Sequence, residues 1–164
     1  MFFGRRRYND ACEILMNNNY IIREIMVNHG AGKALLETRS LAFTILGAQL
    51  AMIDLLLKPK EKEAVEIKKT AMKRLVKRNA PKYVKEKAEA LTYIFYKCAV
   101  DEINFYAPSG MRPSKAAAKA MIEVVNFEYQ KFGNGSNVEI NSEIWEEIEK
   151  EIERCVKKLM FVLF

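Results

Sequence analysis

Residues 33–58 read KALLETRSLAFTILGAQLAMIDLLLK. Positions 33, 37, 40, 44, 47, 51, 54 and 58 are Lys, Glu, Ser, Thr, Gly, Ala, Asp and Lys. The steps between them alternate four and three, so on a helix they form one narrow seam, polar to small, along a rod that is otherwise apolar. A helix apolar nearly all round is normally central in its fold. Small residues on the seam would let a neighbouring helix approach closely. The apolar run over 41–57 falls just short of a membrane span and carries Gln49 and Asp54, so a buried helix is the expected reading.

Working outward, helical periodicity dominates the chain, and no stretch alternates convincingly with period two. A first helix is expected over residues 7–28, with Ala11, Ile14, Leu15, Ile22, Ile25 and Met26 on one face. Asn18 falls in the middle of that face. It is read either as a buried polar residue that fixes register or, with Asn17 and Asn19, as a kink. His29-Gly-Ala-Gly breaks the chain before the second helix. A third helix begins near Pro59 and runs to about residue 78, with Ala64, Val65, Ala71, Met72, Leu75 and Val76 as its buried stripe. Ala80-Pro81 restarts the chain into an aromatic fourth helix over 82–106. The loop at 107–114 leads to a fifth helix over 113–132. A sixth starts at Asn141 or Ser142, either a fit N-cap, with Glu143, Glu146 and Glu147 near its positive dipole end. The closing LMFVLF is too apolar to stay solvated and is expected to dock on the body or on a partner. The fold class is all-α, a compact single-domain bundle of five or six helices over residues 1–164. Hydrophobic residues make up 50% of the chain, with only 7 Gly and 4 Pro, which excludes a disordered chain.

Charge is distributed unevenly. Residues 58–87 carry a net +8, and the rest of the chain a net −2. Residues 139–153 form an opposite block of net −6. Cys12, Cys98 and Cys155 are isolated and fit no CxxC or zinc spacing, so three reduced thiols in a reducing, cytoplasmic compartment are expected. The N-terminal MFFGRRRYND has its apolar residues before its basic run, the wrong order for a signal peptide.

Catalytic motifs fail when tested. GAGK at 30–33 lacks the first Gly of a phosphate loop, since position 27 is Val, and Ala34 stands where Ser or Thr is needed. His29, the only histidine, has no Asp, Glu or Cys at helical ligand spacing and reads as a capping residue near a helix end. No Glu-x-x-His pair marks a carboxylate metal site. Glu13, Glu24, Glu37, Asp54, Glu89, Glu102 and Glu123 are read as solvated or as helix contacts. No cofactor and no metal are expected. One loop, SGMRPSK at 109–115, has anion-site chemistry: Arg112, Ser114, Lys115 and Lys119 surround the start of the fifth helix.

The basic stretch is the strongest functional signal. Lys62, Lys69, Lys73 and Lys77 lie opposite the buried stripe, with Arg74 and Arg78 flanking. Like charges at i, i+4 repel by roughly 0.2–0.5 kcal/mol per pair, so a source of negative charge outside the helix is expected. Nucleic-acid phosphate is the first candidate, with Lys82, Lys85 and Lys87 extending the groove and Arg5-Arg6-Arg7 forming an arm. An acidic protein surface is the second: the chain's own sixth helix, within one chain or across a homo-oligomer. An anionic membrane surface ranks last, because the third helix has no Trp or Phe. The expected function is a non-enzymatic subunit that binds nucleic-acid backbone. A protein-interaction or assembly module is the alternative, and an enzyme the third reading.

Overall fold

The computed structural model describes residues 2–29, 39–58, 60–79, 85–106, 110–132 and 142–163. Among them are six α-helices and one π-helical turn, with no strand: α1 (Phe2–Asn28), α2 (Arg39–Met52), the π turn (Ile53–Leu57), α3 (Glu61–Asn79), α4 (Lys85–Tyr106), α5 (Pro113–Phe132) and α6 (Ser142–Leu163). The molecule is an all-α bundle.

The centre is α2, which packs on α1, α3, α4 and α5. Its residues Ala42, Phe43, Ile45, Leu46, Ala48 and Leu50 to Met52 are all buried, and one apolar cluster joins them to side chains of the other five helices. Its closest partner is α4. A Cβ on Gly47 would stand 2.7 Å from the Thr92 carbonyl oxygen and 2.8 Å from the Tyr96 amide nitrogen. Gly47 therefore lets two helix backbones touch. Lys33 and Glu37 of the seam lie outside the described residues, as do the expected second-helix start, Pro59 and Ala80-Pro81. No described helix is long and apolar enough to cross a membrane.

Asn18 does not kink α1, which runs unbroken past it. It is buried, and Gln49 donates to its side-chain oxygen at 2.8 Å. Its own amide donates to Glu151 on α6, to the carboxylate at 3.3 Å and the backbone carbonyl at 3.4 Å. Gln49 also donates to the Leu15 carbonyl at 2.8 Å and accepts from Asn19 at 3.1 Å. A polar thread thus runs from α2 through α1 to α6 inside an apolar core. Such a thread fixes register, because any slip would orphan buried amides.

Three expectations need correcting. The Arg5-Arg6-Arg7 run is no arm: it is part of the first turns of α1, which begins at Phe2. Arg7 is tied down by an ion pair to Glu63 on α3 and donates to the Leu163 carbonyl at the end of α6. The buried stripe of α3 is also rotated from the expected one. Val65 is 42% exposed and Ile67 is fully buried. Packing on both α1 and α2 centres the stripe on Ala64, Ile67, Ala71 and Leu75, which follow each other at three and four residues, whereas Val65 is a quarter-turn off. Finally, the apolar C-terminus docks by one face only. Leu159 and Leu163 are buried, while Met160 and Phe161 face outward.

Candidate nucleic-acid interface

Helix α3 sorts its cations into two sets. The first set turns inward. Arg74 and Arg78 both pair with Glu13 on α1, with Arg78 donating at 3.0 Å to one carboxylate oxygen and 3.4 Å to the other. Lys68 pairs with Asp54 in the π turn and lies 4.7 Å from the centre of the Tyr96 ring, whose hydroxyl donates to the same carboxylate. Burial opposes the Lys68 charge, but the hydrogen bond and charge of Asp54 outweigh it and hold its pKa above the ordinary lysine range. Part of the negative charge expected from outside the helix is therefore supplied by α1 and the π turn.

The second set turns outward. Lys62, Lys69, Lys73 and Lys77 are exposed, and none forms an ion pair among the described residues. Lys69, Lys73 and Lys77 stand one turn apart, so their row spans about 12 Å along the axis at 1.5 Å per residue. That is the axial length of about three to four nucleotides of one duplex strand. Lys87 on α4 is exposed, and Lys85 is the first residue of that helix. Lys82 lies outside the described residues.

A groove of about 310 Å³ lies between α1 and α3, lined by Glu13, Met16, Asn17, Tyr20, Arg23, Leu75 and Arg78. Arg23 was not singled out by the sequence, because a lone Arg on an amphipathic helix reads as solvated. Here burial lowers its pKa, its Nε lacks a hydrogen-bond partner among the described residues, and its guanidinium lies 5.8 Å from the Tyr20 ring centre.

Of the anion-site residues, Arg112 and Ser114 come together around carboxylates of the chain itself. Arg112 holds the buried Glu149 of α6 at 2.9 Å. Ser114 donates to Glu149 at 3.4 Å and to Glu153 at 3.1 Å. Lys119 lies 4.0 Å from the ring centre of Trp145, and Lys115 is half-buried. Pro113 opens α5, as its fixed φ favours. This loop fastens α5 to α6.

The acidic helix is largely used internally. Glu147 faces His29, Glu149 faces Arg112, and Glu151 faces Arg154 and Asn18. Among the described residues no ion pair joins α6 to α3, so the intrachain acidic-helix supplier is not observed; α6 packs mainly on α1 and α5. The thiols are chemically quiet. Burial raises Cys12 to about 11 and Cys155 to about 12.

One carboxyl pair is unusual. Glu102 on α4 hydrogen-bonds Glu123 on α5; that bond first, then burial and the Glu123 charge, raise its pKa from 4.5 to about 7. The folded state thus holds a proton that the unfolded chain releases. Stability from this group is present below about 4.5 and lost as pH rises toward about 7. We expect Glu102→Gln to flatten the thermal midpoint over that window and to raise it at pH 8. A midpoint that keeps its wild-type pH dependence would show that the pair does not share a proton.

Comparison with family models, with curated proteins and with solved structures gave no match to this chain.

Proposed function

We propose that this protein is a non-enzymatic helical subunit that binds the phosphate backbone of nucleic acid through α3. One observation carries the reading. With Arg74, Arg78 and Lys68 answered by acids of the fold, Lys69, Lys73 and Lys77 remain as an exposed row at one-turn spacing. A row held on a packed helix is pre-aligned, and the inward Arg–Glu13 pairs fix its orientation. Contacts of this kind position a protein on a duplex without reading sequence. Lys62 lies on the same helix, and Lys85 and Lys87 begin the next. The three unpaired thiols fit a reducing, cytoplasmic setting.

Changing Lys69, Lys73 and Lys77 together to Gln tests this. Gln keeps helix propensity and removes three like charges, so the fold should hold or gain slightly. In fluorescence anisotropy at low salt, the variant should bind every duplex sequence more weakly than wild type. Equal binding by the two proteins, or none by wild type, ends the proposal.

A second reading has its own observation. Phe161 is 90% exposed and Met160 51% exposed, next to the docked Leu159 and Leu163. An assembly module would cover them with a second copy. Light-scattering mass above that of one chain, lost in Phe161→Ser, would favour it.

A further inference from the structure

His29 stands just past the end of α1, with its backbone N–H 3.2 Å from the carbonyls of Ile25 and Met26. Its own helix offers it no ligand partner. The fold brings two from elsewhere: Glu143 and Glu147, one turn apart on the same face of α6. His29 Nε2 lies 3.2 Å from a Glu147 carboxylate oxygen, and one donor atom from each of the three residues lies within 4.8 Å of the others. We propose that His29, Glu143 and Glu147 bind a divalent cation of the zinc class.

The chemistry of the donor set points to that class. One imidazole nitrogen with two carboxylate oxygens suits borderline first-row divalent ions and is a poor match for calcium or magnesium, which prefer all-oxygen shells. Around such an ion, bonds of about 2.0–2.2 Å put neighbouring donors roughly 3.4 Å apart in a tetrahedral shell. The His29–Glu147 separation already fits. Glu143 is exposed, and its carboxylate oxygen, within 4.8 Å of the other two donors, would have to move closer to join the shell. Three protein donors leave a fourth position for water. His29 is mostly buried, with its side chain 12% exposed, which fixes the imidazole and makes it the anchor of the set. A simple ion pair would need only one of the two carboxylates. Placing a second one turn away adds repulsion that a dication removes. The bound ion would clamp the end of α1 to the beginning of α6.

Titration calorimetry of the chelator-stripped protein with zinc chloride tests this directly. Wild type should take up one ion per chain. His29→Gln and Glu147→Gln should each weaken binding at least about tenfold, since even outer partners of metal ligands contribute about 10–100-fold. Glu143→Gln, at an exposed position where folding is not at risk, should weaken it too. Glu146→Gln, on a neighbouring face, should bind as wild type does. Substituting cobalt(II) checks the donor type: the spectrum should lack thiolate charge transfer. Absence of saturable zinc binding would overturn the proposal. So would unchanged affinity in both Glu143→Gln and His29→Gln, or a thiolate band assigning the ion to cysteine.

Discussion

Gly47→Leu is expected to lower the thermal midpoint sharply, and Gly47→Ala to lower it less. At position 47 even a Cβ would come within 2.7 to 3.0 Å of backbone atoms of Thr92, Phe95 and Tyr96. Backbone cannot swing aside as a side-chain tip can, so α2 and α4 must move apart. Ala in place of Gly gains up to about 1 kcal/mol of helix propensity. Overpacking typically costs about 1–3 kcal/mol, so for Ala the clash should win narrowly. Leu adds three more carbons to the same contact and should reach or pass the top of that range. At about 2–4 °C per kcal/mol for a chain of this size, Leu should lower the midpoint by roughly 6–12 °C. An Ala variant melting above wild type would mean the two helices do not meet at Gly47.

The second large effect belongs to Gln49. Gln49→Leu roughly keeps side-chain volume but removes the donor to Asn18 and the acceptor for Asn19. Asn19 keeps its bond to the Ala42 carbonyl at 2.9 Å, whereas the Asn18 oxygen loses the partner that Gln49 provides. An orphaned buried polar group costs about 1–3 kcal/mol. We expect a loss of about 2–4 kcal/mol in chemical denaturation, well above the usual cost of a volume-conserving swap. A loss under about 1 kcal/mol would mean that water or a rotated amide replaces the missing bonds.

Helix positions and the central place of α2 were legible in the sequence because they depend on periodicity, which one chain displays completely. The seam through Gly47 and Asp54 is an example: it meets α4 at Gly47 and holds Lys68 and Tyr96 at Asp54. Asn18 reads in the sequence as either a register residue or a kink, and its partners on α2 and α6 cannot be read from spacing. The stripe on α3 came out rotated because two neighbours share that helix, and a wheel drawn for one helix assumes one neighbour. The start of α1 differs from the expected one because Gly4 lowers helix propensity and cations sit unfavourably at a positive helix end; of the Arg run, Arg7 is held by Glu63 on α3 and the Leu163 carbonyl.

Sites were less legible, for one physical reason. Their residues come from different helices. Glu13 satisfies two cations 61 and 65 residues away in sequence. His29 faces Glu147, and Arg112 faces Glu149. A charge count along the chain finds the excess on α3 but cannot tell which cations the fold has already paired. The structure makes that division, leaving Lys69, Lys73 and Lys77 outward.

The most direct test of the central claim is the salt dependence of binding to a short DNA duplex, compared between wild type and the Lys69, Lys73, Lys77 triple Gln variant. Each duplex phosphate contact contributes about 0.9 to the slope of log K against log salt. If the row holds three phosphates, the variant's slope should be shallower by about 2.7, with the same change for unrelated sequences. Parallel lines for the two proteins would contradict the account.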